Sequence, residues 1–409
     1  MLVNYFKIAI AVLKRRKFFT FLSIFVISFT ITILMVLAAF VDKVVNDTYP
    51  DRNRSRLLYI TKFEESGPGS MNSGALSFYY LERYVKSLKR PVKISIVSRP
   101  ESTNTYVNNK KITVSYIYTD AVYWDVLDHD FLEGKPFTAQ QLANGERVAV
   151  ISEDLKKEYF GNMPSVVGQY IEADDVRYRV SGVMKTVPST NYLFTGDLFL
   201  PYTVAKMDFR ANKDYRGNFM GVLEAASNAE VPAMKAEYEQ MAVRLPMSNK
   251  MYTNIYTHAD NYLNAYLRSG NEKKSGMQIV FMSITIFVLL VMLLPAMNLV
   301  NINVTRIMER SSEIGVRKAF GASSKVLAGQ FIIENLILTL LSGVISVVLS
   351  GIALQVINNA HLLKNLHLSL NFNVLLVTLL ACLVFGLLSG VYPAWRMSRM
   401  HVVDALKAS

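Results

Sequence analysis

The sequence predicts a membrane protein with four transmembrane α-helices plus an α+β extracytoplasmic domain, a βαβ-like subdomain carrying an inserted β-rich subdomain. Three observations lead there. Four apolar runs, 18–41, 277–302, 326–357 and 372–395, each reach the roughly 20 residues that a helix needs to cross about 30 Å of hydrocarbon. Between the first two runs lies a long segment, 42–276, in which strand and helix patterns alternate. Finally, the net charge of +12 is not spread evenly: ten of those twelve charges sit in 1–17, 303–325 and 396–409, all on one side of the predicted membrane. That placement fits the positive-inside rule and argues against nucleic acid as a partner. Hydrophobic residues make up 51% of the chain and mean hydropathy is +0.24, too apolar for an ordinary soluble enzyme.

Residues 1–17 place Phe6, Ala9, Ile10 and Leu13 on one helical face before the cluster Lys14-Arg15-Arg16-Lys17. They read as a cytoplasmic amphipathic helix along the inner leaflet, with a plain start to the first span as the alternative. The apolar run 18–41 is longer than the 7–15 residues of a signal peptide, so it is expected to be retained, and to continue outward through 42–47 to Pro50. In the extracytoplasmic domain, strand-like 57–63, helix-like 76–88 and strand-like 92–97 suggest a βαβ unit. The segment 116–205 reads as the β-rich insertion, with strands near 147–151, 170–172 and 178–183 punctuated by glycines. A strand at 219–226 and a helix at 231–245 return to the first subdomain. Pro295 is expected to kink the second span. A short external loop, 358–371, joins the last two spans, and 396–409 forms a cytoplasmic tail. Arg52, Arg54, Arg56, Arg268, Lys273 and Lys274 fall on the outer side, where long translocated domains obey the charge rule weakly. The only cysteine, Cys382, lies in the fourth run, so the external domain has no disulfide and relies on its core.

Between the second and third spans, Arg306, Glu309, Arg310, Glu313, Arg317 and Lys318 crowd a short segment. Glu313 precedes Arg317 by four residues, the favourable orientation for a helical ion pair; Gly321 supplies a stop and Ser323 a cap for the next helix. A two-signed surface of this kind suits docking to a protein better than a merely basic loop does. Glu309-Arg310, Glu313-Ile314-Gly315, Arg317-Lys318-Ala319 and Gly321-Ala322 resemble the ER-x-x-EIG-x-RKA-x-GA signature that follows the second transmembrane helix in permeases of the MacB/FtsX superfamily of ABC transporters. Tyr123-Trp124-Asp125-Val126-Leu127, Leu132-Glu133-Gly134-Lys135-Pro136-Phe137, Val148-Ala149-Val150-Ile151-Ser152, Phe160-Gly161, Val167-Gly168 and Val180-Ser181-Gly182-Val183 look like that group's periplasmic domain. Gly390-Val391-Tyr392-Pro393-Ala394-Trp395-Arg396 and Asp404-Ala405-Leu406 resemble its closing pattern, except that Val403 stands where a proline usually precedes the acidic residue.

The resemblance implies a permease subunit in a bacterial cytoplasmic (inner) membrane, multi-pass, with both termini inside. The segment 303–325 would be its cytoplasmic coupling helix. It implies a homo- or heterodimer of permeases in membrane lipid, a separate ABC ATPase that holds ATP-Mg, and, outside, a periplasmic adaptor and an outer-membrane protein. On this view the ATPase's motion reaches the external domain by mechanotransmission, for export or extraction of a substrate from the outer face. The alternative is an FtsX-like regulator that transmits the same motion to a cell-wall hydrolase or sensor kinase without moving cargo.

No chemistry-bearing constellation competes with this. The sequence lacks G-x-x-x-x-G-K-[ST], so hydrolysis of ATP is expected in a partner chain and no cofactor is expected on this one. His129, His258, His361, His367 and His401 are scattered without metal-ligand spacing. Glu334, eight residues past Val326 and so about 12 Å along the third span, is expected to face protein or water, with Gln330 on the same face. It reads either as part of a helix–helix hydrogen-bond network or as a coupling residue. Gly343, Ser346, Ser350 and Gly351, with Gly386 and Gly390 in the fourth span, are small residues suited to close helix packing, within the chain or across a dimer.

Overall fold

The computed structural model describes residues 17–46, 49–107, 110–268, 276–309, 324–360 and 368–370, with isolated positions at 15, 316, 320 and between 372 and 384. It begins with helix α1 (Lys17–Val45), followed by β1 (Leu57–Ile60), β2 (Phe63–Gly67) and β3 (Ser70–Leu76). Helix α2 (Phe78–Arg83) starts where the Ser77 hydroxyl accepts from the Tyr80 amide at 3.0 Å. Next come β4 (Lys93–Ser98), β5 (Glu101–Val107), β6 (Lys110–Thr119), α3 (Tyr123–Val126), β7 (Phe131–Gly134), α4 (Ala139–Ala143) and β8 (Val148–Ser152). The chain continues through α5 (Glu153–Phe160), β9 (Tyr170–Ala173), β10 (Val176–Met184), β11 (Leu198–Pro201), β12 (Arg216–Gly217) and β13 (Phe219–Glu224). The last elements among the described residues are α6 (Val231–Val243), β14 (Asn254–Thr257), α7 (Tyr262–Leu267) and two long helices, α8 (Met277–Glu309) and α9 (Ser324–Asn359).

Contacts divide the chain into a sheet unit, Lys43–Val280 with Leu363–Leu366, and a helical unit drawn from Met1–Asp42, Phe281–Leu362 and His367–Ser409. In the sheet unit the path runs β14-β2-β3-β13-β4-β6-β11-β8-β10-β7, with β1 on β13, β12 on β3, β5 on β6 and β9 on β10. Side chains alternate across this sheet, and both faces are covered. Leu58, Ile60, Ala149, Ile151, Leu198 and Leu200 enter one core. Their neighbours Leu57, Tyr59, Val148, Val150 and Phe199 enter the other. Burial on both faces explains why these strands read as unbroken apolar runs.

One expectation changes here. The strands at 57–63 and 92–97 do not form a simple βαβ unit: β1 and β4 each pair antiparallel with β13, Val222 facing Tyr59 on one side and Ser95 on the other. They therefore run parallel with a strand from much later in the chain between them, because β13 is buried along its whole length and claims the central place. The segment expected as a β-rich insertion, 116–205, shares the sheet of the rest of the unit. Strand β6 pairs with β4 at Thr119–Val97 and with β11 along Tyr116–Thr119, so the β-rich segment extends one continuous sheet.

Within the helical unit, Ile27, Ile31, Leu34 and Met35 of α1 pack with Met292 of α8 and Val347 of α9. The opposite face of α1 exposes Phe18, Phe21, Phe25 and Phe29, whose rings stack at 6.1 and 6.0 Å from Phe21 to Phe25 to Phe29. Such a stripe suits lipid and would be costly in water. Among the described residues two helices are long and apolar enough to cross a membrane, Lys17–Val45 and Ile332–Asn359, and Met277–Leu293 is a shorter apolar stretch of α8. Helix α8 continues through Pro295 without interruption. Most of the fourth expected span, 372–395, lies outside the described residues.

Candidate functional site

Of the charged segment at 303–325, the structure describes the helical backbone to Glu309 and little more. Arg310, Glu313, Ile314, Gly315, Arg317, Lys318, Ala319, Gly321 and Ala322 lie outside the described residues, as does the side chain of Glu309. At the two described positions, the Phe320 amide donates to the Val316 carbonyl at 3.0 Å, one helical turn, and both side chains are exposed. In α9 the Gln330 side chain is outside the described residues, while Glu334 is 1% exposed beside buried Asn335. Gly343, Ser346 and Ser350 are buried on one face. The Ser346 hydroxyl donates to the Gly343 carbonyl at 2.6 Å, and that of Ser350 to the Met35 sulfur at 3.2 Å, so this stripe meets α1 of the same chain. A side chain at Gly351 would meet nothing within 4 Å among the described residues, so no contact there demands its smallness. Gly386 and Gly390 are outside the described residues. Among the described residues no group of three or more His, Cys, Asp or Glu could hold a metal ion.

A polar joint that the sequence did not reveal lies where α1 ends in the sheet unit. The last turn of a helix leaves carbonyls without partners. Here the Arg54 guanidinium donates to the carbonyls of Val44 at 2.9 Å and Asn46 at 3.0 Å. The same guanidinium makes a two-pronged pair with Asp51, both bonds 2.9 Å, and lies 3.7 Å over the Tyr262 ring. Asp51 and Arg54 are 1% and 6% exposed, so each charge depends on its partners. Asp51 also accepts from the Tyr59 hydroxyl at 2.9 Å and the Asn191 amide at 2.6 Å, and Tyr262 donates to the Asn191 side-chain oxygen at 3.2 Å. Burial pushes the Asp51 carboxyl up, against the pull of Arg54 and the other donors. One ion pair thus ties the end of α1 to β1, to the 188–196 loop and to α7. The following segment is seated nearby: a side chain at Gly276 would come within 2.8 Å of the Leu267 carbonyl. This arrangement performs no bond chemistry; it is a stiff joint.

A family model described as the MacB-like periplasmic core domain matches residues 20–241, and one described as the FtsX-like permease C-terminal matches 285–402. The chain belongs to the MacB/FtsX family of ABC transporter permeases. The macrolide export ATP-binding/permease protein MacB of Escherichia coli (strain K12) is 25% identical over 341 residues, covering 79% of this chain and 49% of that protein. MacB 1 of Yersinia pestis is 25% identical over 304 residues, 73% of this chain and 44% of the relative. The chain thus spans about half the length of these MacB relatives. The uncharacterized ABC transporter permease YknZ of Bacillus subtilis is 22% identical over 398 residues, 96% of this chain and 95% of its own length. The solved periplasmic region of MacB from Actinobacillus actinomycetemcomitans matches with a TM-score of 0.37 and 16% identity, over 56% of this chain and all of that one.

As a MacB/FtsX permease the protein is membrane-embedded, and the motifs that carried the resemblance have structural duties in its sheet. Gly134 and Gly182 face each other across β7 and β10, where a side chain on Gly134 would strike the Ser181 carbonyl at 2.2 Å. Gly161 and Gly168 hold positive φ of 64° and 86° at the end of α5 and before β9. Glu133 pairs with Lys156 and accepts from the Val166 amide at 3.0 Å, which pins the connection leading to β9. These residues maintain the sheet; the joint at Asp51 and Arg54 contains none of them. Its sequence signal is only an acid and an arginine three apart after a long apolar helix.

Proposed function

We propose that the chain is the permease subunit of a MacB-like ABC transporter in a bacterial inner membrane, coupling ATP binding and hydrolysis by a separate ATPase subunit to movement of its external domain. The observation that carries this is the pairing of a core-domain match and an FtsX-like match on a sequence without a phosphate-binding loop. Two permeases and two ATPases, with ATP-Mg in the latter, form the working unit. Glu309, Arg310, Glu313, Arg317 and Lys318 face the ATPase, and Ile314, Gly315, Ala319, Gly321 and Ala322 shape the helix that presents them. Glu334 sits in the span that follows. Outside, motion passes from α1 through the Asp51–Arg54 joint into the sheet, whose two-sided core lets it move as one body. The substrate is taken from the outer face of the membrane, with an adaptor and an outer-membrane protein as further partners.

Reconstitution of the full chain with its candidate ATPase tests the coupling. The paired reversal Glu313→Lys with Arg317→Glu should lower permease-dependent ATP turnover at least tenfold and leave the unfolding temperature of the external domain unchanged. Unchanged turnover would overturn the coupling role of this helix. Recovery of a cell-wall hydrolase or sensor kinase with the intact complex, and of no adaptor, would favour the regulatory reading over transport.

A further inference from the structure

A cavity of about 590 Å³ opens in the sheet unit between the β1–β2 turn, the start of β5, the 188–196 loop and α7. Its size is that of a small-molecule site, and its walls combine charge with rings. Lys62, Arg99 and Arg268 line it, together with Tyr192 and Tyr266. Arg268 is buried and held by Asp260, through a pair of bonds of which the Nη2–Oδ1 contact is 3.0 Å. Lys62 and Arg99 have no carboxylate partner among the described residues; Arg99 donates one bond, to the Thr61 carbonyl at 2.8 Å, which fixes its guanidinium at the wall. The one acid in the lining, Glu101, is already engaged by the Tyr116 hydroxyl at 2.7 Å and the Asn218 amide. Burial, and then the charge of Arg99, pulls the Lys62 ammonium below its ordinary range, and burial does the same to Arg99. Two half-buried cations with no ion-pair partner among the described residues, the charge of Glu64 offsetting the cost at Lys62 only in part, carry a penalty that a bound anion relieves. Beside them Tyr192 and Tyr266 meet edge to face at 5.9 Å and stay 64% and 47% exposed, with buried Met220 and Leu193 as an apolar floor.

We propose that this cavity binds a small organic anion, a carboxylate or phosphate monoester on an aromatic or aliphatic body. Lys62 and Arg99 hold the anion, and Tyr192 and Tyr266 flank the body. Arg99, planar and fixed, supplies a fork for two oxygens, while Lys62 supplies a mobile point charge. The site lies wholly in the sheet unit and needs neither nucleotide nor partner, so it stands or falls separately from the transport reading.

The test is calorimetric titration of the full chain, in nanodiscs of phosphatidylcholine, with 2-naphthyl phosphate, 2-naphthol and inorganic phosphate. The expected result is binding of 2-naphthyl phosphate at least tenfold tighter than 2-naphthol. Lys62→Met and Arg99→Gln should each weaken it fivefold or more. Tyr192→Ala should weaken 2-naphthyl phosphate and leave inorganic phosphate unaffected. Should Arg99→Gln disturb folding, Lys62→Met, whose side chain makes no hydrogen bond in the described structure, carries the test alone. Repeating the titration in phosphatidylglycerol nanodiscs separates sources: loss of binding assigns the occupant to a lipid headgroup, and unchanged binding to a soluble anion. Absence of binding at millimolar concentration, or equal affinity in wild type and Lys62→Met, overturns the proposal.

Discussion

Replacing Arg54 with methionine keeps most of the side chain's length and removes the charge that neutralises buried Asp51 while leaving two helix-end carbonyls without their donor. Breaking one side of such a buried pair costs about 3–5 kcal/mol. Denaturant unfolding of Arg54→Met should show a loss of that size, and the charge-free pair Asp51→Asn with Arg54→Met should recover part of it. His129 gives a second prediction at this scale. Its ring lies between Tyr49 and Tyr123, with nitrogens 3.4 and 3.1 Å from their hydroxyls, and burial, then the Arg52 charge, holds its pKa at about 3 against 6.5 for a free histidine. The unfolded chain takes up a proton near pH 6.5 and the folded chain does not, so stability falls as pH drops from 7 toward 3. At pH 5 the loss should be about 1–2 kcal/mol, allowing for partial exposure. His129→Gln should flatten that part of the pH–stability curve. Neither residue stood out in the sequence. Arg54 is one of three arginines after the first span and His129 one of five histidines, and only the packing of distant segments makes either of them buried.

Strand β13 shows why elements were easier to find than to place. Its apolar run marks a strand, and its burial on both faces accounts for five apolar or compact residues in succession before Glu224. Nothing in the run names its neighbours, β1 and β4, which lie more than a hundred residues earlier. The apparent βαβ unit followed from sequence adjacency, and the same limit hid that the β-rich insertion continues the same sheet. Period-2 patterning fixes which side chains share a face and leaves strand order to the closing of long loops. A proline scan separates central from edge strands. Val222→Pro interrupts a ladder with partners on both sides and should cost about 3 kcal/mol or more, while Asn254→Pro in β14, paired only with β2, should cost distinctly less by the same unfolding measurement.

For the molecule as a whole, the apolar runs and flanking charges disclosed the membrane-embedded class, because lipid imposes helix length and polarity more strictly than water imposes a fold. The charged segment at 303–325 stands out by its alternating signs, and its residues lie mostly outside the described structure. The single sheet with a core on each face was not legible, since its strand order joins segments far apart in the chain. If that sheet transmits motion as one body, amide exchange in β8 and β13 should be the same in nucleotide-free and ATP-bound complexes. A tenfold change in exchange rate at those strands would show that the domain deforms during the cycle.

The grip on the end of α1 falls on main-chain oxygens, the carbonyls of Val44 and Asn46. Any residue at position 44 presents the same carbonyl, so that site is free to drift in sequence while position 54 is not. Saturation mutagenesis should find broad tolerance at Val44 and almost none at Arg54, a pattern of constraint in which the held residue varies and the holder stays.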